Sequence, residues 1–208
     1  MAGKFITFEG GEGAGKTTQT ELLKEYFALR GVDALFTREP GGTAAAERIR
    51  DVIKDIALGM DPMTELLLYC AARADHVRRV IKPALESGRL VVCDRFSDST
   101  FAYQVYGRGL AAEDVRRLNE IAAGGLVPDL TFFLDCPPKA GFSRKGGADK
   151  TDRMENAGGD FHERVYRGFC ELAAVEPQRI IRVDAGKKPD EVHGEIVGFL
   201  RERKIIEY

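Results

Sequence analysis

Residues 10–17 read Gly-Gly-Glu-Gly-Ala-Gly-Lys-Thr, which fits G-x-x-x-x-G-K-[ST] without exception. Few short patterns restrict a fold so tightly. Glycines let successive backbone N–H groups converge on phosphate oxygens, and a following helix adds the partial positive charge of its N-terminus. The pattern therefore needs a strand before it and a helix after it. Phe5-Ile6-Thr7-Phe8-Glu9 is a short β-type run, and Leu22, Leu23, Tyr26 and Phe27 recur at helical spacing, which predicts a helix over 16–30 ended at Gly31. Gly10, Gly11, Glu12, Gly13, Ala14, Gly15, Lys16, Thr17 and Thr18 are thus expected to hold the phosphates of ATP or GTP. Lys16 would reach the β- and γ-phosphates, and the Thr17 hydroxyl would ligate Mg²⁺.

The same alternation continues along the chain. Strands are expected at 34–37, 90–93, 130–134 and 179–183, and helices at 43–57, 62–87, 111–123, 160–175 and 190–203. Asp61-Pro62 supplies a cap and a first-position proline for the second of these helices. Leu90-Val91-Val92-Cys93 is apolar throughout, as a strand covered on both faces should be. The expected class is α/β: an open parallel sheet wrapped by helices in one domain over 1–208, with ligands at the carboxyl ends of the strands.

Composition excludes other classes. Lys plus Arg is 31 and Asp plus Glu is 33, a net charge of −2, which disfavours gripping nucleic acid or an anionic membrane. No apolar run reaches the length of a membrane span, and no signal-type segment opens the chain. Cys70, Cys93, Cys136 and Cys170 lie far apart with no CxxC pair, so neither a zinc site nor a redox motif is indicated. Cys93 and Cys136 read as buried thiols of a reducing cytosol. Glycine is the anomaly, at 23 of 208 residues, clustered at 10–15, 41–42, 124–125, 146–147 and 158–159.

Two further features bear on chemistry. Asp94 ends the strand at 90–93, where a carboxylate beside the phosphate loop can support a Mg²⁺ shell, or can simply be a solvated strand end or a helix cap. Arg95 follows it, placed to face a second anion. Residues 143–153 are polar and glycine-rich and carry Arg144, Lys145, Lys150 and Arg153. They suit a solvated surface loop or equally a lid that folds over ATP.

Taken together, these stretches resemble the bacterial thymidylate kinases nearly end to end. The resemblance is carried by Phe8-Glu9-Gly10 before the loop, by Thr37-Arg38-Glu39-Pro40-Gly41-Gly42-Thr43 and by Tyr69-Cys70-Ala71-Ala72-Arg73-Ala74-Asp75-His76. Asp94-Arg95-Phe96-Ser97-Asp98-Ser99-Thr100-Phe101-Ala102-Tyr103-Gln104 and Asp152-Arg153-Met154-Glu155 complete it. It implies a P-loop NTPase fold with a five-stranded parallel sheet and a mobile lid over about 141–157. It implies transfer of the γ-phosphoryl of Mg-ATP to dTMP for dTTP synthesis, in a cytoplasmic homodimer.

Roles follow from the resemblance alone. Arg95 would hold the dTMP phosphate, with Arg50 and Arg38 near it and Glu39, Pro40 and Ser99 on the same acceptor side. Glu12 would accept a hydrogen bond from the sugar 3′-OH. Tyr69 would stack on thymine, Arg73 would bond the base edge, and Thr100 and Gln104 would face it, with Tyr103 crowding a ribose 2′-OH. The i, i+4 spacing of Tyr69 and Arg73 is consistent with one helix face. His76 is expected to be a structural or surface histidine rather than a catalytic one. The P-loop variable positions hold no arginine, so the chain resembles the subdivision whose catalytic arginine lies in the lid. Arg144 and Arg153 are the lid arginines, and Arg153, with Lys16 and Arg95, is the expected catalytic set. Phe96, where Tyr or His is common, and Ala72, where many relatives have Asp, depart from the family pattern.

Two rival readings stay open on the sequence. A deoxynucleoside kinase would need a base for a sugar hydroxyl, and Glu39 lies where one could sit. A P-loop switch ATPase would hydrolyse ATP slowly without an acceptor.

Overall fold

The computed structural model describes residues 3–207. Five strands form one sheet: β1 (Phe5–Glu9), β2 (Ala34–Arg38), β3 (Leu90–Asp94), β4 (Leu130–Asp135) and β5 (Ile180–Asp184). Their order is β2-β3-β1-β4-β5, and every pair is parallel. This is the α/β arrangement that the alternation predicts. The chain crosses from β1 towards β2 and β3, then returns past β1 to β4 and β5, so the sheet switches direction at β1. Ligands bind at such a switch point. The register pairs Phe8 with Asp94 and Arg38 with Asp94, which aligns the carboxyl ends of β1, β2 and β3 along one edge.

Both sheet faces are covered, which is why the central strands are apolar at nearly every position. On one face Ile6, Phe8, Val92, Phe132 and Leu134 pack with Leu23 and Phe27 of α1 (Lys16–Leu29) and with Val192, Ile196 and Leu200 of α9 (Pro189–Glu202). On the other, Phe5, Val91, Cys93 and Phe96 meet Val77, Ile81 and Leu85, while Phe133 and Ile180 meet Phe161, Val165 and Phe169 of α8 (Gly159–Val175). No helix among the described residues is long and apolar enough to cross a membrane.

Helix starts follow capping chemistry. Thr43 Oγ1 accepts from Ala46 N at 3.1 Å to open α2 (Ala44–Lys54), and Asp61 Oδ1 accepts from Met63 N at 2.8 Å to open α3 (Pro62–His76). The single helix expected over 62–87 is instead interrupted. After α3 it widens into a π turn at Val77–Ile81 before α4 (Lys82–Glu86). Pro83 has no N–H to donate to the preceding turn, and its ring crowds the carbonyl there.

Two helices lie where the periodicity indicates none. α5 (Ser97–Phe101) runs into a second π turn at Ala102–Gly107, and α7 is Pro138–Lys145. Asp98, Ser99, Thr100 and Gln104 are buried among Phe101, Ala102 and Tyr103, so the buried positions follow no apolar stripe at helical spacing. α7 opens on Pro137-Pro138 and contains Gly141, a composition that reads as loop. The remaining helix is α6 (Ala112–Ala123).

Candidate active site

The loop between β1 and α1 turns on Gly10, Gly13 and Gly15, with φ of 142°, 67° and 94°. Gly13 also meets a close neighbour. A Cβ there would lie 2.0 Å from the carbonyl oxygen of Gly141, and a Cβ at Gly141 would lie 2.0 Å from that of Glu12. The loop and α7 are thus docked backbone to backbone, which sets Arg144 and Lys145, at the end of α7, beside the phosphate cradle. The sequence reading did not find this role for Gly141.

Lys16 is buried, and its Nζ donates to the carbonyls of Gly10 at 3.1 Å and Gly11 at 2.8 Å. Burial and then the neighbouring Arg95 pull its pKa down. Arg95 has φ 70°, a left-handed conformation unusual for a side chain of this size. Its Nη1 donates to Gly10 O at 2.8 Å and Ser99 Oγ at 3.1 Å, and its Nη2 to Glu12 Oε1 at 2.7 Å. Tyr103 OH donates to the same Glu12 oxygen at 2.9 Å. Burial works to raise the Glu12 pKa, but Arg95, Lys16, the Tyr103 hydroxyl and Lys145 outweigh it and hold the group down at about 2.

Behind this cluster lies Glu9, which is fully buried. It accepts from Phe96 N at 2.8 Å and from the Ser99 hydroxyl, which in turn accepts from Arg95. Burial, reinforced by the carboxylate of Asp98, pushes the Glu9 pKa up to about 8. An unfolded chain ionises this group near 4.5, so the native state holds its proton longer. Stability from this source is full below pH 4.5 and is lost as pH rises through about 8. Glu9→Gln, which cannot ionise, is expected to remove a slope of up to about 1.4 kcal/mol per pH unit in that window. Thermal melts of parent and variant from pH 5 to pH 8 check this; parallel profiles would contradict it.

On the other side of the cavity, the Glu39 carboxylate is buried and held by an arginine and a histidine. Arg73 reaches it through Nε at 2.8 Å and Nη2 at 2.8 Å, and His76 Nδ1 lies 3.1 Å from its other oxygen. Arg73 also donates to Asn119 Oδ1 at 2.6 Å and lies 4.8 Å from the Phe96 ring centroid. That leaves one N–H on each terminal guanidinium nitrogen for a ligand. Arg50 Nη1 donates to Pro40 O at 2.9 Å, and Arg38 pairs with Glu47 at 3.1 Å. The Glu39–Pro40 bond is cis. His76, expected to be structural or on the surface, is buried and also meets Thr37 Oγ1 at 2.7 Å.

These groups share one cavity of about 730 Å³. Its walls include Glu12–Gln19, Arg38, Glu39, Pro40, Arg50, Tyr69, Arg73, Asp94, Arg95, Phe96, Ser99, Thr100, Tyr103, Arg144 and Lys145. Most of the expected site residues therefore converge. Gly10 and Gly11 lie behind Lys16 and present their carbonyls to it. Two residues are not brought to the cavity wall. Gln104 is buried and gives its Nε2 to Glu65 at 2.7 Å. Arg153, the arginine expected at the phosphates, instead pairs with Glu65 Oε2 at 2.6 Å and donates to Ile53 O at 3.0 Å. From this structure it reaches ATP only by giving up both partners. Lys145, which the sequence reading assigned only to the polar segment, does line the cavity and pairs with Glu155.

Two residues of the cavity wall, Asp94 and Gln19, each keep a buried oxygen without a hydrogen-bond partner among the described residues. For Asp94 this atom is Oδ1, and Thr17 opens onto the same cavity. A lone carboxylate oxygen beside a P-loop hydroxyl suits the hydration shell of Mg²⁺, which binds nucleotide sites through few protein ligands.

Known proteins of one family resemble the chain over nearly its whole length. The family model described as thymidylate kinase matches residues 8–196. A thymidylate kinase of Synechococcus sp. (strain JA-3-3Ab) is 53% identical over 202 residues, covering 96% of each chain. One from Desulfovibrio desulfuricans is 47% identical over 211 residues, covering 96% of this chain and 97% of that one. The crystal structure of thymidylate kinase from Ehrlichia chaffeensis superposes with a TM-score of 0.79 at 37% identity, covering 97% of this chain and 99% of that one.

Proposed function

The chain belongs to the thymidylate kinase family, and we propose that its one domain moves the γ-phosphoryl of ATP onto dTMP, giving dTDP and ADP. The observation that carries this reading is a pair of cationic anion sites in one cavity: Lys16 in the P-loop and Arg95 facing it across Glu12. Backbone N–H groups of 10–17 and the start of α1 hold the ATP phosphates, and Lys16 leaves its two loop carbonyls to meet them. Arg95 takes the acceptor phosphate, supported by Arg50 and Arg38. The attacking oxygen of dTMP is already anionic, so no strong general base is needed, and catalysis rests on alignment and charge neutralisation. Arg144 and Lys145 close over the phosphates from α7. Mg²⁺, when bound with ATP, would be held by Thr17 and, through water, by Asp94, and it supplies charge neutralisation to the phosphates.

At the acceptor end, Tyr69 stacks on thymine, and Thr100 and the spare N–H groups of Arg73 address the base edge. Gln104 would join them only by leaving Glu65. Glu12 accepts from the sugar 3′-OH, and Tyr103 blocks a 2′-OH. The competing nucleoside kinase reading needs Glu39 as a base. Its two oxygens are occupied by Arg73 and His76, so neither is free to meet a sugar hydroxyl. We read the chain further as a cytoplasmic homodimer. Val52, Ile56 and Leu58, in and after α2, and Leu67 of α3 are exposed apolar side chains on neighbouring elements, and the free thiols fit a reducing compartment.

ADP release from Mg-ATP tests the reading with dTMP, dUMP, dCMP, dGMP, AMP and thymidine, each alone. Fast release with dTMP, weak release with dUMP and little with the others is expected. Release with thymidine but not dTMP would replace this reading with the nucleoside kinase, and silence throughout would favour the switch ATPase.

A further inference from the structure

Glu65 takes no part in the chemistry above, yet it is among the most buried carboxylates of the protein, 0% exposed. It lies on α3 and collects donors from two other parts of the chain. Oε1 accepts from Gln104 Nε2 at 2.7 Å and Arg108 Nε at 3.1 Å, both in or just after the π turn that follows α5. Oε2 accepts from Arg108 Nη2 at 3.0 Å and pairs with Arg153 Nη1 of the lid at 2.6 Å. We propose that Glu65 is a positioning residue that fastens the lid to the acceptor pocket, acting through Arg153 on one side and Gln104 on the other.

The placement gives the link a direction. Tyr69 stands one helical turn beyond Glu65 on α3 and lines the cavity, as does Met154, next to Arg153 in the lid. Arg153 is seated at the carboxyl end of α2 as well: its N–H donates to Lys54 O at 2.9 Å and its Nε to Ile53 O at 3.0 Å, while Lys54 pairs with Asp152 at 3.2 Å. A cation at a helix C-terminus is favourably placed. The far end of the lid is therefore pinned to the acceptor side of the site, and its near end continues from α7 beside the phosphate loop. A ligand that packs against Tyr69 or competes for Gln104 alters the partners of the one carboxylate that holds the lid. Two arginines around one buried acid make the arrangement sensitive, since losing the acid strands both cations. The Glu65 pKa is lowered: burial opposes this, but bonds from Arg108 and Gln104 outweigh it, so the group stays ionised.

This inference rests on the acceptor-site reading given above. Glu65→Gln tests it, because the amide keeps the shape and one acceptor oxygen but removes the charge. The probe is trypsin cleavage after Lys150, an exposed lid residue, with and without saturating dTMP and no ATP. In the parent, dTMP is expected to slow cleavage about tenfold, within the usual range for coupled sites. In Glu65→Gln, the KM for dTMP should rise about tenfold, the Kd for a non-hydrolysable ATP analogue should stay within about twofold, and dTMP should no longer slow cleavage. Arg153→Gln, which breaks the link from the lid side without touching α3, should abolish the dTMP effect in the same way should Glu65→Gln fail to fold. An intact dTMP effect in either variant would overturn the proposal. A lower kcat in Arg153→Gln with the dTMP effect intact would overturn it too, and would return Arg153 to the phosphates. If dTMP does not bind the parent at all, the acceptor-site reading fails and this inference with it; if dTMP binds and slows cleavage equally in parent and variants, only the inference fails.

Discussion

Arg95→Ala is expected to lower kcat/KM for dTMP by about 10³-fold or more, in the range seen when a cation that stabilises a transferring phosphoryl group is removed. The size follows from where this arginine sits. It is held at φ 70° between β3 and α5, with its guanidinium shared among Gly10 O, Ser99 and Glu12. Removing it deletes the cation that faces the acceptor phosphate and leaves Glu12 without its closest cationic partner, so the carboxylate beside the phosphate is less well neutralised. Arg95→Lys should recover little of the loss, because an ammonium cannot hold Ser99 and Glu12 in the same plane while meeting a phosphate. ATP-analogue affinity should change by less than about threefold, since Lys16 and the loop amides remain. Steady-state kinetics with varied dTMP check this, and a loss smaller than tenfold would contradict the assignment.

Lys16→Met is the second large effect. We expect kcat to fall by about 10²–10³-fold, as when one preorganised electrostatic donor is lost. Here the acceptor side should survive: dTMP binding, measured calorimetrically, should stay within about threefold of the parent, because Arg95, Tyr69 and Arg73 are untouched. The unliganded fold should not suffer either. Lys16 is a buried ammonium whose pKa is already depressed by burial and by Arg95, so an apolar side chain of similar length relieves a charge–charge conflict. A variant that loses dTMP binding along with turnover would contradict this separation of the two anion sites.

The two results together distinguish phosphate alignment from simple nucleotide binding. Arg95 lies on the segment after β3 and Lys16 on the segment after β1, adjacent parallel strands whose register pairs Phe8 with Asp94. That register is what brings donor and acceptor phosphates into one cavity, and it depends on apolar burial on both sheet faces rather than on any side chain in the site.

Much of this was legible in the sequence, and the reasons differ by element. The P-loop is local: its glycines, lysine and threonine are consecutive, so one short segment fixes strand, turn and helix. The parallel sheet is legible because strands buried on both faces are apolar at successive positions, as at Leu90–Cys93. The acceptor side is legible only through its longer motifs, since Tyr69, Arg73 and Tyr103 carry no pattern that composition alone separates from core packing. What stayed hidden is non-local. α5 buries Asp98, Ser99 and Thr100 beside Phe101, and a helix with a mostly polar inner face has no hydrophobic period. Glu9 and Glu65 look like ordinary charged residues until partners 87 and 39 or more positions away are seen to close on them. The lid shows the limit most clearly. The resemblance favoured Arg153 over Arg144 as the catalytic arginine, whereas the fold places Arg144 beside the phosphate loop and Arg153 on Glu65.

The phosphoryl group is to move from ATP to the phosphate of dTMP. The most direct measurement uses [γ-³²P]ATP with Mg²⁺ and dTMP and follows the label by chromatography. Label is expected in dTDP at its terminal phosphate, equal in amount to the ADP formed, with no labelled dTMP when thymidine is the acceptor. Label released as inorganic phosphate at the same rate with and without dTMP would contradict it, as would labelled dTMP formed from thymidine.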